Sequence, residues 1–140
     1  MTTDQNAQIG AFVLRISLGA MFLAHGLFLK VFVFTPAGTA GFFESLGLPG
    51  ALAYLTIAAE TVGGLLLIAG VGTRYVSAAL IPVLLGALVL VHGDKGWVFS
   101  NAGGGWEYPA FLIAASVAQF FLGDGAYALK VPGLRPAVQH

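Results

Sequence analysis

The chain has 140 residues, of which 58% are hydrophobic and only 9% charged, and its mean hydropathy is +0.90. Soluble domains are about one quarter charged, and a chain this short cannot bury so much apolar surface in its own core. The composition therefore predicts an integral membrane protein that faces the lipid bilayer. The net charge of +0 gives no sign of a nucleic-acid partner, and the lack of cysteine excludes disulfides, thiolate metal sites and thiol redox chemistry.

Four apolar segments are long enough, or nearly so, to cross the hydrocarbon core, which takes about 20 helical residues. We place these transmembrane helices near residues 9–33, 50–70, 74–93 and 107–124. Between the first two, Thr39 is a candidate N-cap ahead of an apolar trio, which predicts a short interfacial helix near residues 38–47. The expected fold is all-α: one membrane domain, residues 1–140, forming a four-helix bundle with an interfacial helix between helices 1 and 2.

Basic residues predict the orientation of this fold in the membrane. The side that holds both termini carries Arg15, Arg74, Lys130 and Arg135, and the other side carries Lys30 and Lys95. Cytoplasmic segments are enriched in lysine and arginine, so we expect both termini in the cytoplasm. We expect Lys30 to extend to the headgroups on the other side.

Two charged residues lie well inside predicted membrane helices, away from the helix ends, where ionisable groups are costly and normally have partners. Glu60 is halfway along the second helix, on a face with small residues, and Arg15 is about two turns into the first. Arg15 can extend outward or reach inward to Glu60, and we favour pairing with Glu60. A purely structural role for Glu60, as an ion pair or as a protonated carboxyl between helices, is equally open.

Two histidines and further carboxyls are expected in the outer half of the bundle. His25 lies in the first helix, His92 ends the third, Glu107 opens the fourth, and Glu44 belongs to the interfacial helix. Together with Glu60, they form a candidate ligand site or proton relay, because histidines titrate near physiological pH. A lone histidine on an apolar face is more often a core residue, so a packing role for His25 remains the alternative.

The aromatic neighbours of Glu107 are candidate supporting residues of this site, alongside Arg15 and Glu44. Trp106 and Tyr108 can form an aromatic wall, although anchoring at the membrane interface is the commoner role of such residues. His25 and His92 could ligate haem in principle, but nothing else in the sequence supports it. We therefore predict no metal and no covalent cofactor.

Six stretches in order resemble the DoxX family of small bacterial inner-membrane proteins with four helices. They are LRISLGAMFLAHG (14–26), GTAGFFESLGLPG (38–50), AETVGGLLLIAGVGTR (59–74), LVHGDKGWVFSN (90–101), GGGWEYP (103–109) and LGDGAYAL (122–129). The resemblance covers residues 10–129 and implies a bacterial inner-membrane location. The family has a lysine about four residues beyond its histidine, whereas Lys30 is five residues beyond His25. Lys30 would then point to a different side of the helix, so we do not assign it the role that the motif implies.

The resemblance implies redox-linked functions. One relative is the small membrane subunit of a thiosulfate:quinone oxidoreductase, others are linked to oxidative-stress complexes, and distant animal relatives resemble chaperones for membrane receptors. By this analogy the chain is a membrane subunit of a redox system that binds a quinone or another lipid-soluble ligand. Without a cofactor motif it would take electrons from a partner redox protein, so we do not expect an enzyme on its own.

Two other functions remain open from the sequence. A non-catalytic scaffold or assembly factor would use the buried charges to fix helix register and the loops to bind a protein complex. A small proton-coupled transporter is less favoured, because four helices without an internal repeat leave little room for alternating access unless the chain forms a homo-oligomer.

Overall fold

The computed structural model describes residues 1–133, which are helical and contain no strand. Helix α1 (Thr3–Leu23) begins at a capping box, in which the Thr2 side chain accepts from the Gln5 amide and the Gln5 side chain accepts from the Thr2 amide. It continues into a π-helical segment, Ala24–Val33, which we call the first π segment. Together they form a continuous apolar helix of 31 residues.

Helix α2 (Pro36–Ser45) is short and follows Thr35, whose side chain accepts a hydrogen bond from the Gly38 amide. Pro36 occupies the first helical position, where a missing N–H costs little. The prediction of Thr39 as the N-cap is wrong, since Thr39 lies inside the helix. Its hydroxyl instead donates to backbone oxygens of Thr35 and Lys30, which ties α2 to the first π segment.

Three more helices complete the described chain. Helix α3 (Ala51–Ala69) ends at Gly70, whose φ of 76° is left-handed and suits glycine. Helix α4 (Thr73–Gly86) follows after a tight turn and continues into a second π segment, Ala87–Val91. Helix α5 (Glu107–Leu122) follows a loop rich in glycine.

Length and composition allow three of these helices to cross a membrane: Thr3–Val33, Ala51–Ala69 and Thr73–Val91. Helix α5 is apolar but has 16 residues, fewer than the ~20 that a full span takes. Many large apolar side chains point outward, including Phe28, Phe32 and Phe111, which are 60%, 72% and 69% exposed. Such a surface suits lipid rather than water.

Glycines bring α1 and α3 into close antiparallel contact. A Cβ atom on Gly19 would lie 2.9 Å from the Gly64 carbonyl oxygen, and one on Gly26 would lie 2.5 Å from the Cβ of Glu60. Only glycine permits these approaches, as in many helix pairs of membrane proteins. A buried cluster fills the space among α1, α3, α4 and α5 and contains Leu18, Phe22, Leu67, Leu80, Leu84, Leu112 and Ala115.

The packed helices have two ends, which we call the proximal end and the distal end. The proximal end holds the N-terminus, the turn at residues 70–72 and the end of α5. The distal end holds the far ends of both π segments, helix α2, the loop of residues 92–106 and the start of α5. Arg135, which entered the predicted orientation, lies outside the described residues.

Candidate functional site

The distal half contains a cavity of about 800 Å³, which lies within the usual size range of sites for small organic ligands. Both π segments and helices α2, α3, α4 and α5 contribute to its wall. Most of the wall is apolar. The polar side chains on it are His25, Lys30, Thr39, Thr56, Glu60, His92 and Tyr108.

Glu60 lies on this wall and is paired with Lys30. The Lys30 ammonium nitrogen lies 2.7 Å from Glu60 Oε2, and the two side chains are 19% and 7% exposed. The close approach permitted by Gly26 places the first π segment against this part of α3. The expected pairing of Glu60 with Arg15 is therefore wrong, because the carboxylate has a different partner.

The π-helical geometry explains how Lys30 reaches this position. In a π-helix the hydrogen bonds join residues five apart, as in the 2.8 Å bond from the Phe34 amide to the Leu29 carbonyl. Lys30 therefore lies one turn beyond His25 on the same side, and its ammonium is 3.4 Å from the His25 carbonyl oxygen. The predictions that Lys30 extends to the headgroups and points to a different side than His25 are wrong.

His25 is partly buried and held in a fixed orientation. Its Nδ1 lies 2.9 Å from the Met21 carbonyl oxygen, one turn earlier in the same helix. The imidazole also lies beside the Tyr108 ring, with 6.4 Å between the two ring centroids. Tyr108 thus supports His25 across the cavity wall from the start of α5.

His92 follows the second π segment and is held in the same way. Its Nδ1 lies 2.8 Å from the carbonyl oxygen of Gly104 in the distal loop. Gly104 has a φ of 76°, and a Cβ atom there would lie 3.3 Å from the imidazole. A glycine is therefore suited to this position for both conformation and space.

Three other predicted residues do not line the cavity. Glu107 Oε1 accepts a 3.1 Å hydrogen bond from the Phe99 amide, so its carboxylate fixes the distal loop. Trp106 packs edge-on against Trp97, with 4.5 Å between centroids. Glu44 is exposed on α2. The structure therefore brings together His25, Glu60, His92 and Tyr108, and leaves Glu44, Trp106 and Glu107 outside the wall.

Arg15 is fully buried at the proximal end, away from the cavity. Its guanidinium donates to the carbonyl oxygens of Leu67 and Ile68, at 2.8 and 2.7 Å, and of Ala126, at 2.9 Å. The first two belong to the last turn of α3, where free carbonyls and the helix dipole favour a cation. Arg15 thus neither extends outward nor pairs with Glu60, and it joins α1, α3 and the segment after α5.

Sequence reasoning missed Lys30 and Thr56 as cavity residues. The five-residue spacing between His25 and Lys30 was the available signal, since a π-helix accommodates one residue more per turn than an α-helix. Such segments occur often at functional sites. Both π segments contribute to this cavity, and His25 and Lys30 lie within the first.

The rest of the described chain offers less for ligand chemistry. A second cavity, of about 230 Å³, lies at the proximal end beside Asp124 and Lys130, and none of the predicted site residues lines it. Among residues 1–133, no group of three or more His, Asp or Glu side chains could hold a metal ion. The distal cavity is therefore the candidate site, with an ion pair, two imidazoles and a phenol set in an apolar wall.

Comparisons with known proteins agree with the motifs. The DoxX family model matches residues 10–93, which is more than half of the chain. A Bacillus subtilis (strain 168) protein with the name "Putative oxidoreductase CatD" is 36% identical over 126 residues, covering 90% of this chain and 88% of the relative. No solved structure matches the chain significantly. The chain belongs to the DoxX family.

Proposed function

We propose that this protein is the membrane subunit of a redox system and that its distal cavity binds a quinone or a similar lipid-soluble ligand. The observation that carries the proposal is the cavity itself. It places His25, Lys30, Glu60, His92 and Tyr108 on a wall that is otherwise apolar. Ligand sites typically combine such an apolar wall with a few polar groups that orient the ligand.

The shape of the wall suits a ligand with a polar ring and an apolar tail. Several lining side chains are also exposed on the outside of the protein, among them Phe34, Phe42 and Leu52. The cavity therefore reaches the surface near α2. In a bilayer that surface meets lipid, so a hydrophobic ligand can enter sideways without crossing water.

The polar groups supply what quinone chemistry needs from a protein. Interconversion of a quinone and its hydroquinone moves protons, and a dry interior must exchange them through titratable side chains. Glu60 is buried on this wall, and His92 adjoins the distal loop. We assign His25, Glu60 and His92 to contact with the ligand, and His92 also to proton exchange with the distal surface. We assign Glu107 to anchoring the distal loop beside Tyr108, because its carboxylate accepts a hydrogen bond from the Phe99 amide.

The same proposal includes an arrangement in the membrane. The two helices with π segments, together with α3 and α5, cross the inner membrane of a bacterium as a four-helix bundle, and α2 lies at the interface. Arg74 and Lys130 lie at the proximal end, which supports cytoplasmic termini, and Lys95 lies at the distal end. Lys30 no longer counts as a free distal charge because it is paired with Glu60.

A partner must supply or accept the electrons. The chain has no cysteine and shows no cofactor motif, so we assign the electron carrier to a second redox protein. The oxidoreductase name of the Bacillus subtilis relative supports a redox setting. The alternative remains a scaffold, in which the Lys30–Glu60 pair fixes helix register and the cavity holds only lipid.

Ligand binding by purified protein tests the proposal. A quinone with a ten-carbon chain is titrated into the protein in detergent by calorimetry, and we expect one binding site per chain. Gly86 lines the cavity, and a Cβ atom there meets nothing within 4 Å, so Gly86→Phe should fill part of the cavity without replacing any of its polar residues. We expect this variant to bind at least about tenfold more weakly, the effect of about 1.4 kcal/mol.

The matched control is Gly41→Phe. Gly41 is also helical and open to a Cβ atom, but it does not line the cavity. Its variant should bind as the wild type does. A wild-type protein that binds no quinone, or a Gly86→Phe variant that binds as well as Gly41→Phe, would contradict the proposal and favour the scaffold.

A further inference from the structure

The two histidines of the cavity are fixed in the same tautomer. Nδ1 of His25 and Nδ1 of His92 each lie within 3 Å of a backbone carbonyl oxygen, at 2.9 and 2.8 Å. A carbonyl oxygen only accepts hydrogen bonds, so each Nδ1 must carry the hydrogen. A neutral imidazole has one N–H, and therefore Nε2 of each ring is left as an acceptor with a lone pair.

Both Nε2 atoms are available to a ligand. Among residues 1–133, no side-chain or backbone group donates a hydrogen bond to either of them. Both imidazoles line the cavity. In each ring, Nδ1 faces the carbonyl oxygen that it bonds, so Nε2 lies on the side of the ring away from that carbonyl. The cavity therefore offers two hydrogen-bond acceptors from two different helices.

The donors on the same wall are largely committed elsewhere. The Lys30 ammonium lies 2.7 Å from Glu60 Oε2 and 3.4 Å from the His25 carbonyl oxygen, which leaves one of its three N–H bonds for a ligand. The Thr39 hydroxyl donates to backbone oxygens. Thr56 and Tyr108 carry hydroxyls that can donate or accept. The wall as a whole thus presents fixed acceptors and few fixed donors.

We propose that the cavity prefers the reduced, hydroxyl-bearing form of its aromatic ligand, with His25 Nε2 and His92 Nε2 as the acceptors of its hydroxyl hydrogens. A hydroquinone carries two O–H donors that match two acceptors. A quinone carries only carbonyl acceptors, which at these two positions would face the imidazole lone pairs and leave both groups without a partner there. An unsatisfied buried polar group is costly, so the two forms differ in affinity.

This inference rests on the proposed function, because it specifies which redox form the cavity holds. We expect the hydroquinone to bind at least about tenfold more tightly than the quinone, since leaving a buried polar group without a partner is costly. A tenfold preference for the reduced form raises the two-electron midpoint potential of the bound ligand by about 30 mV.

The test compares one hydroquinone with the quinone of the same ring and ten-carbon chain. Both are titrated into the wild-type protein in detergent, anaerobically and at about pH 8, where imidazoles are generally neutral. The ratio of the two dissociation constants is the readout. His25→Phe and His92→Phe each keep an aromatic ring but remove one Nε2, so each should lower the preference for the hydroquinone over the quinone several-fold.

Thr61→Val provides the control. Thr61 follows Glu60 in α3 but does not line the cavity, so its variant should keep the wild-type ratio. Quinone binding by each histidine variant reports that its cavity is intact, and the wild-type ratio decides the inference if a variant does not fold. Equal or tighter wild-type binding of the quinone overturns the inference and leaves the proposed function standing. Binding of neither form overturns the proposed function as well.

Discussion

Replacing Lys30 by methionine would test the buried ion pair of the cavity. In Lys30→Met the Glu60 carboxylate, 7% exposed, loses the ammonium that lies 2.7 Å away. Removal of one partner of a buried pair typically destabilises a protein by about 3–5 kcal/mol. We therefore expect the free energy of unfolding to fall by about 3–5 kcal/mol at pH 7.

The assay is reversible unfolding in mixed micelles, followed by circular dichroism as the fraction of denaturing detergent rises. Lys30→Met with Glu60→Gln removes both charges and should recover most of the loss, because replacing both partners of a buried pair is often nearly neutral. A Lys30→Met protein within 0.5 kcal/mol of wild type at about pH 7 would refute the pairing.

Three further changes test other parts of the fold by the same unfolding assay. Arg15→Met should destabilise the protein by at least about 3 kcal/mol, since three carbonyls lose charged donors; a loss below 1 kcal/mol would contradict the buried role of Arg15. Gly26→Ala should lower the free energy of unfolding by about 1–3 kcal/mol, because its methyl group would meet Glu60. Gly10→Ala, with open space around it, should raise the free energy of unfolding by about 0.5–1 kcal/mol. Similar effects of the two glycine changes would argue against close helix contact. Asp124→Ala should lower the free energy of unfolding by about 1 kcal/mol, because the Asp124 carboxylate accepts a hydrogen bond from the Thr73 amide at the start of α4. An unchanged midpoint of the unfolding curve would show that this bond contributes nothing to stability.

Composition and hydropathy were sufficient to predict an all-helical chain with apolar segments of membrane length. The reason is that these signals are summed over many residues, so single irregularities do not remove them. The sequence predicted an apolar helix at residues 50–70, and the structure has helix α3 at Ala51–Ala69. The predicted segment at 107–124 compares with α5 at Glu107–Leu122, which is apolar but short for a complete span. DoxX membership was likewise readable from motifs in order.

The pairing of the buried charges could not be predicted in the same way. A regular helical period assigned Lys30 to the wrong side, because one extra residue per turn in a π segment rotates every later side chain. The five-residue spacing of His25 and Lys30 is compatible with a π segment, but no local pattern in the sequence marks where such a segment begins. Arg15 was misassigned for a different reason. Its acceptors are backbone carbonyls at the end of α3, and every helix end offers these whatever its sequence.

The candidate site was anticipated in part. His25, Glu60, His92 and Tyr108 share one cavity wall, as their heights along the helices suggested. Glu107 was expected there because it opens α5 beside Tyr108. It instead bonds the Phe99 amide, a contact that depends on the path of the distal loop. Loops rich in glycine have too many backbone conformations for such a path to be read from the residues.

Mass spectrometry of the small molecules that remain with gently extracted protein would show whether the distal cavity holds a quinone. We expect quinone or hydroquinone at about one molecule per chain in wild type and in Gly41→Phe. In Gly86→Phe, which fills the same cavity, the amount should fall at least about tenfold. Phospholipid alone in wild type, or equal quinone in both variants, would contradict a ligand site in the distal cavity and turn the search toward protein partners.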